Sequence, residues 1–275
     1  ITALGVQPEQ RVFLCLLDSI DWPVAFLGCI LAGVVPVAAN TLLTTQDYDY
    51  MLRDSRARAL VVSDQLWPKL EPLLGHLPHL QHVVVSGAMP AASPVALHAM
   101  VPLCERFAPD FTPAETSPDE ACFWLYSSGS TGRPKGTVHS HANPYWTCEL
   151  YGKRILGLTE RDVCFSAAKL FFAYGLGNAL TFPMSVGATA VLLPSRPTPG
   201  DVFKVLRQYQ PTIFYGVPTL YAALLASLSI DPARQLVGAQ CSGTLLLAKL
   251  GLIGQLPACT DLTSKPWVME AGVDV

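Results

Sequence analysis

The chain has 275 residues, of which 51% are hydrophobic and only 14% are charged, with a formal net charge of −3. This composition excludes an intrinsically disordered chain, because enough apolar surface is available to form a core, and at about 150 residues per domain it predicts one large or two ordinary domains. With 18 basic and 21 acidic side chains and no basic block, the sequence also argues against a nucleic-acid-binding protein.

The first part of the chain alternates between apolar runs and helical patterns. Strands are predicted for residues 11–17, 34–38, 59–63 and 82–85, and helices for residues 22–32, 45–54 and 65–74. This alternation predicts parallel βαβ units, and the continuous apolar strands indicate a sheet that is buried on both faces. Residues 1–86 are therefore predicted to form a first α/β lobe, and we expect it to be truncated at its start because the chain begins with Ile1.

A connector is predicted for residues 87–119, because six prolines in this stretch prevent any long helix. Further strands are predicted for residues 121–127, 162–166, 188–193 and 212–217, with a helical pattern after each of the last two. Residues 120–230 are therefore predicted to form a second α/β lobe, with mixed or parallel strands flanked by helices. Residues 231–275 carry no clear pattern and are interpreted as a divergent tail.

Two uncharged stretches, residues 22–46 and 170–195, are long enough to cross a bilayer. Glycines and prolines interrupt both, so each is predicted to be a helix followed by a buried strand rather than a membrane span. The eight cysteines include no pair closer than 14 residues, which fits neither a CxxC metal site nor a dense disulfide framework. We expect reduced, mostly buried thiols in a cytoplasmic protein with no membrane partner.

The most informative segment is a glycine-rich loop at residues 126–136, which follows the apolar run 121–125. Its glycines leave backbone N–H groups free to approach an anion, its four serine and threonine hydroxyls add donors, and Lys135 adds a positive charge. A plain polar turn is the alternative interpretation. The spacing does not fit a P-loop, because Lys135 follows Pro134 and precedes Gly136. Residues 137–139 have the pattern of a strand, so the sequence predicts a hairpin-like flap over phosphates.

Five histidines are close enough in sequence to suggest metal ligands, but neither of their two groups is predicted to bind a metal ion. His139 and His141 would point to opposite faces of a strand. The histidines at positions 76, 79 and 82 straddle a proline and have no cluster of cysteines or carboxylates nearby. His141 is instead predicted to begin a helix, with Asn143 near its cap.

Residues 126–136 resemble the signature loop of the adenylate-forming superfamily, which includes acyl-CoA synthetases, aryl-CoA ligases, luciferases and peptide-synthetase adenylation domains. The similarity runs from residue 6 to residue 228 and is closest to benzoate-type CoA ligases, through motifs at residues 139–143, 165–178 and 215–221. The resemblance implies that a carboxylate attacks the α-phosphorus of ATP to give an acyl-adenylate and pyrophosphate, and that the thiol of CoA then displaces AMP. Mg²⁺ is implied as well, bridging phosphate oxygens.

The resemblance also implies two groups of site residues. The ATP phosphates would be held by Ser127, Ser128, Gly129, Ser130, Thr131, Gly132 and Lys135. Their hydroxyls and the lysine would favour the charge that gathers on the departing pyrophosphate. The acid pocket would be lined by Phe172, Ala173, Tyr174, Gly175 and Phe182. A flat benzoate ring fits between aromatic faces where small residues leave room, although ordinary core packing is the alternative for this aromatic segment.

The motif at residues 165–178 contains two further candidate site residues. Phe172 is implied to be a gate between the acid and the path of the thiol. Lys169 either steers the incoming carboxylate or is an ordinary solvated lysine.

From residue 231 onward the resemblance fades, and a shifted reading frame or a different splice end is one explanation. The glutamate, aspartate and lysine that complete the family's catalytic site are not found in the sequence, so no catalytic residue is assigned and the fragment alone is expected to be inactive. The leading interpretation is the N-terminal part of an ATP-dependent aryl-CoA ligase. An adenylating enzyme for another carboxylic acid and a non-catalytic nucleotide-binding remnant are the alternatives.

Overall fold

The structure is a computed structural model of the chain, and it describes residues 1–107, 111–127, 133–226 and 237–238. The chain divides into two compact units. Unit 1 comprises Ile1–Thr147 with Phe171–Ala173, and unit 2 comprises Cys148–Leu170 with Tyr174–Val275. Each unit has its own β-sheet.

The sheet of unit 1 has seven strands in the order β5-β4-β3-β1-β2-β6-β7. Their bounds are β1 Arg11–Cys15, β2 Val35–Ala38, β3 Ala59–Ser63, β4 His82–Ser86, β5 Ala96–Ala99, β6 Ala121–Ser127 and β7 Lys135–Ser140. All neighbours pair in parallel except β6 and β7, which form an antiparallel hairpin. Every residue of β2 and β3 is buried, which explains why these strands read as uninterrupted apolar runs.

Helices connect and cover the strands of unit 1. They are α1 Asp21–Leu31, α2 Thr45–Ser55, α3 Trp67–Leu70, α4 Met100–Glu105 and α5 Ala142–Thr147, with 3-10 turns at Thr2–Leu4, Asp64–Leu66 and Glu71–His76. The helix predicted for residues 65–74 is therefore broken into short pieces, because Pro68 and Pro72 each lack the backbone N–H of a helix interior. The core packs Tyr48 and Met51 of α2 against Phe13 of β1 and its neighbours.

The sheet of unit 2 is parallel, with the strand order β11-β10-β8-β9. Its strands are β8 Val163–Ser166, β9 Thr189–Val191, β10 Ile213–Tyr215 and β11 Val237–Gly238. The helices that follow α5 are α6 Ala173–Leu176, α7 Phe182–Val186, α8 Pro199–Tyr209 and α9 Pro218–Ala226, with π-helical turns at Cys148–Lys153 and Gly177–Thr181. Phe165 and Phe214 stack in the core with ring centroids 5.3 Å apart.

The predicted α/β fold class is confirmed, but the observed units divide the chain differently from the predicted lobes. Strand β6 pairs with β2, through Val37 opposite Trp124 and Ala38 opposite Leu125, so residues 121–140 belong to the first sheet. The predicted connector 87–119 also contributes β5 and α4 to unit 1. The apolar pattern identified residues 121–127 as a strand, but a local pattern does not say which strand it pairs with.

None of the described helices has the length and apolar character that a bilayer crossing requires. The six described cysteines are unpaired, and all of them except Cys104 are buried. Burial raises the pKa of Cys15, Cys29 and Cys122 to about 12, so these thiols are poor nucleophiles at neutral pH.

Helix α2 begins with a capping box formed by Thr44 and Asp47. The Thr44 hydroxyl oxygen accepts from the Asp47 N–H at 3.3 Å, and the Asp47 carboxylate accepts from the Thr44 N–H at 3.0 Å. Thr44→Ala is expected to lower the free energy of unfolding by about 1 kcal/mol at neutral pH. Urea unfolding of both proteins measures this difference.

The same capping box predicts how the difference depends on pH. Hydrogen bonds from Thr44 lower the pKa of Asp47, so its carboxylate stabilises the fold above its unfolded pKa of about 4 and loses that effect as the pH falls. The stability gap between wild type and Thr44→Ala is therefore expected to shrink at low pH. A gap that stays constant down to about pH 3 would contradict this role for Asp47.

Candidate functional site

The β6–β7 hairpin brings together the two ends of the glycine-rich loop. Ser127 is the last residue of β6 and lies directly opposite Lys135, the first residue of β7. Residues opposite each other in an antiparallel pair project from the same face of the sheet, and both of these side chains are exposed. The hairpin predicted from the sequence thus places a hydroxyl beside an ammonium group.

The middle of the predicted phosphate-binding set lies outside the described residues. This applies to Ser128, Gly129, Ser130, Thr131 and Gly132, whose assignment stays a prediction. Lys135 makes no ion pair with any residue that the structure describes. Its charge is therefore not neutralised by a neighbouring carboxylate of the described chain, as an anion site requires.

The hairpin stem has a glycine where two aromatic rings come close to the backbone. A Cβ on Gly136 would lie 3.0 Å from Cε3 of Trp124 and 3.5 Å from Cζ of Tyr126. Both aromatic residues lie on β6, two positions apart, and so share one face of the hairpin. The absence of a side chain at Gly136 lets the rings of Trp124 and Tyr126 pack against the backbone of β7 beside Lys135.

Tyr50 and Asp54 of α2, which the sequence did not single out, contact residues on either side of residues 128–132. The Tyr126 hydroxyl donates to Oδ2 of Asp54 at 2.6 Å, and the Arg133 guanidinium lies over the ring of Tyr50, 5.4 Å from its centroid. Burial, together with the hydrogen bond to Asp54, raises the pKa of Tyr126, so its hydroxyl stays protonated and donates. The four-residue spacing of Tyr50 and Asp54 on one helix was the only signal in the sequence.

The far end of the hairpin is held by an aromatic stack and a cap. His139 stacks on Phe123 with ring centroids 4.6 Å apart, and burial lowers the pKa of this histidine. The Ser140 N–H donates to Oδ1 of Asn143 at 3.0 Å, just before α5 begins at Ala142. Within the described ranges, no three His, Cys, Asp or Glu side chains lie close enough together to hold a metal ion.

The residues predicted to line the acid pocket fall into both units. Phe172 and Ala173 belong to unit 1, where Phe172 is 48% exposed and lies against the ring of Phe171 at 4.6 Å. Tyr174, Gly175 and Phe182 belong to unit 2.

Within unit 2, Tyr174 and Phe182 share one apolar cluster with Tyr215. The Tyr174 hydroxyl donates to the carbonyl oxygen of Gly216 at 3.4 Å, and Phe182 is 8% exposed. A Cβ on Gly177 would lie 2.8 Å from Cζ of Phe182, so the ring packs against a glycine backbone. The structure therefore places two of the predicted residues together, among aromatic and small residues.

Tyr215 begins the motif at residues 215–221, but the sequence assigns it no role in the site. Its hydroxyl is buried without a hydrogen-bond partner among the described residues. Tyr215 is 4% exposed, and burial raises its pKa, with Cys164 and the tyrosines Tyr151 and Tyr174 as neighbours. A buried polar group without a partner is rare in folded proteins. Only the three-dimensional packing shows that this hydroxyl is buried next to Cys164, Tyr151 and Tyr174.

Lys169 has a role that neither sequence interpretation anticipated. Its ammonium group donates to the carbonyl oxygens of Leu193 and, at 2.7 Å, Ser195. These bonds tie the chain after β8 to the chain after β9, so Lys169 acts in unit 2 as a link between backbone segments.

Comparison with known proteins places these features in a family. The chain matches the family model "AMP-binding enzyme" over residues 1–255. It is 59% identical over 226 residues to a benzoate-CoA ligase of Thauera aromatica, covering 82% of this chain and 42% of the relative. It is 48% identical over 226 residues to a 4-hydroxybenzoate-CoA/benzoate-CoA ligase of Rhodopseudomonas palustris, covering 82% of this chain and 41% of the relative.

Solved structures give the same grouping. A benzoate CoA ligase from Burkholderia xenovorans LB400 matches with a TM-score of 0.77 and 50% identity, covering 87% of this chain and 46% of the other. The anthranilate CoA ligase AuaEII, solved in complex with anthranoyl-AMP, matches with a TM-score of 0.82 and 35% identity, covering 90% and 49%. The chain thus spans less than half the length of these proteins.

Proposed function

Because the chain belongs to the AMP-binding enzyme family, we propose that it forms the phosphate-binding and acid-binding part of an ATP-dependent ligase for aromatic carboxylic acids. The proposed reaction has two steps. A carboxylate oxygen attacks the α-phosphorus of ATP and pyrophosphate leaves, giving an acyl-adenylate. The thiol of CoA then attacks the acyl carbon, and AMP leaves with the bonding electron pair.

The Ser127–Lys135 pair is the observation that carries the proposal for ATP. An exposed hydroxyl and an exposed ammonium group lie on the same side of the hairpin, at the end where the loop joins its two strands. Negative charge gathers on the departing pyrophosphate, and a fixed cation there lowers the barrier to the first step. We include Ser128, Gly129, Ser130, Thr131 and Gly132 in this proposed site, since they connect the two ends.

Within unit 2, Tyr174, Gly175 and Phe182 are proposed to bind the ring of the acid. Phe172 and Ala173, which precede them in the chain, stay proposed acid-binding residues on the family resemblance alone. High identity to proteins named for benzoate supports an aromatic acid as the substrate. The cluster of Tyr174 and Phe182 supports it as well, because aromatic faces bind a flat ring through offset or edge contacts. Phe172 remains the proposed gate toward the CoA thiol, consistent with its exposure.

ATP, CoA and Mg²⁺ are proposed as the small-molecule partners. The described part of the site offers the Ser127 hydroxyl and the Lys135 ammonium group rather than a cluster of carboxylates. This donor set suits the phosphate oxygens, and Mg²⁺ would arrive bound to the phosphates, which commonly supply several of its ligands. The buried, unpaired cysteines support a cytoplasmic location as part of the same proposal.

A chimera tests the proposed function. The 226 residues that match the Thauera aromatica benzoate-CoA ligase replace the corresponding segment of that relative. With ATP and CoA, we expect the chimera to form the CoA thioester of benzoate and to prefer benzoate over the straight-chain acid octanoate. The measurement is acid-dependent loss of the CoA thiol, with the unmodified relative as the control.

Two outcomes would contradict the proposal. One is a chimera that is folded, as shown by a cooperative unfolding transition, but has no benzoate-dependent turnover. The other is a preference for octanoate, which would point to an adenylating enzyme for another class of acid.

A further inference from the structure

Helix α2 contacts the chain on both sides of the segment between Ser127 and Lys135. Tyr126, immediately before Ser127, donates its hydroxyl hydrogen to Asp54 at 2.6 Å. Arg133, two residues before Lys135, places its guanidinium over the ring of Tyr50 at 5.4 Å. One contact is a charge-assisted hydrogen bond and the other is a cation–π interaction.

Tyr50 and Asp54 lie on the same face of α2, because they are four residues apart in a helix. The residues Tyr48, Met51, Leu52 and Ser55 of the same helix are buried. The capping box at Thr44 fixes the start of the helix, and Arg56, in the left-handed conformation with φ of 52°, ends it. The face that meets the hairpin therefore belongs to a helix that is anchored in the core of unit 1.

A third contact joins the end of α2 to the same face of the hairpin. Nε of Arg11 donates to the carbonyl oxygen of Ser55, the last residue of α2, at 2.6 Å. The same guanidinium lies 5.8 Å from the ring centroid of Trp124. Trp124 and Tyr126 are two residues apart on β6, so α2 and Arg11 together support one face of the hairpin stem.

We propose that α2 is a positioning element for the Ser127–Lys135 pair. Asp54 holds Tyr126 and Tyr50 holds Arg133. These contacts fix Ser127 and Lys135 relative to each other. This inference rests on the proposed function only for the identity of the ligand. The contacts to α2 span 72 residues of sequence between Asp54 and Tyr126. None of the four residues needs to touch the substrate, so their effect is on the placement of Ser127 and Lys135.

Limited trypsin digestion of the 275-residue chain tests the positioning without any nucleotide. Trypsin cuts after Lys135, whereas the bond after Arg133 resists it because Pro134 follows. When opening is fast relative to cutting, the cleavage rate reports the population of the open form. Cleavage after Lys204, an exposed residue of α8 in unit 2, is the internal reference for general loosening of the chain.

The decisive variants change the Tyr126–Asp54 hydrogen bond. Tyr126→Phe and Asp54→Ala are each expected to raise cleavage after Lys135 about five- to tenfold relative to cleavage after Lys204, the usual effect of one hydrogen bond. Asp54→Asn keeps an oxygen that accepts from Tyr126 and is expected to restore the rate to within about twofold of wild type. The double variant Tyr126→Phe/Asp54→Ala is expected to match the single variants, because all three lose the same bond.

Asp49→Ala is the matched control on the same helix. Asp49 pairs with Arg53 at 2.9 Å and makes no contact with the hairpin among the bonds of the described residues. Its loss is expected to leave cleavage after Lys135 unchanged. The proposal is overturned if Asp49→Ala raises cleavage after Lys135 as much as Asp54→Ala does. It is also overturned if the cleavage rate of the double variant increases by the product of the two single effects.

An MgATP titration separates this proposal from the proposed function. In the wild-type chain, MgATP is expected to slow cleavage after Lys135, and Asp54→Ala is expected to need about five- to tenfold more MgATP for half protection. Absence of protection in the wild type would contradict ATP binding, while the rates without nucleotide still decide the role of α2. Equal protection of wild type and Asp54→Ala would overturn the positioning role.

Discussion

Lys135→Ala is expected to slow benzoate-dependent release of pyrophosphate by about 10²- to 10³-fold in the chimera, which corresponds to about 3–4 kcal/mol of lost transition-state stabilisation. Lys135 is exposed opposite Ser127 and has no ion-pair partner among the described residues, so its charge is available for the leaving group. Charge on pyrophosphate increases as the bond to the α-phosphorus breaks. The variant should therefore lose more in kcat than in affinity for benzoate.

The matched control for this prediction is Lys204→Ala. Lys204 is an exposed lysine on α8, and its loss removes the same charge from the chain at a place outside the proposed site. We expect its rate to stay within about twofold of the chimera, since isolated surface substitutions have small effects. A Lys135→Ala variant as active as Lys204→Ala would remove the basis for phosphate binding by the hairpin.

Gly175→Ala is expected to destabilise unit 2 by about 3 kcal/mol or more, because backbone atoms already occupy the place of a side chain. A Cβ at Gly175 would lie 2.0 Å from the carbonyl oxygen of Lys169 and 2.5 Å from that of Ala168. Neither carbonyl is the end of a flexible side chain, so the backbone itself must move. Such movement would also displace Tyr174, the neighbouring residue of the proposed acid pocket.

Gly200→Ala is the control for Gly175→Ala. Gly200 lies near the start of α8, and a Cβ there would meet nothing within 4 Å. We expect Gly200→Ala to be neutral or to stabilise by up to about 1 kcal/mol, since alanine is the better helix former. Urea unfolding followed by circular dichroism measures both variants. Similar unfolding midpoints for the two would show that the close approach at Gly175 has no energetic consequence.

The sequence predicts most elements of the fold because local patterns determine them. Strand β3 has the predicted bounds, residues 59–63. Its apolar run differs from the sequence on either side, so the strand can be recognised without knowing which strands pair with it. The pairing of β6 with β2 could not be predicted in this way. The amino-acid sequence of a strand does not show which distant strand it forms hydrogen bonds with. The same limit explains why the sequence alone predicts the second lobe for residues 121–140, which the structure places in the first sheet.

The candidate site shows the same division. The pattern after Lys135 predicts a hairpin, and the structure has this hairpin with Lys135 opposite Ser127, whereas anion binding there stays a prediction. The support from Asp54 could not be predicted, because it depends on the packing of α2 against a hairpin 72 residues away. Lys169 is a similar case, since only the fold brings its ammonium group to the carbonyl oxygen of Ser195.

Release of pyrophosphate by the chimera, with ATP and benzoate present and CoA omitted, tests the central claim most directly. The first half-reaction alone requires both the phosphate site and the acid pocket, and it does not depend on the thiol. We predict a benzoate-dependent burst of pyrophosphate, equal to about one per active site, which the Lys135→Ala variant loses within the same time. A folded chimera that releases no pyrophosphate in response to benzoate would contradict the claim that this chain binds ATP and an aromatic acid for adenylation.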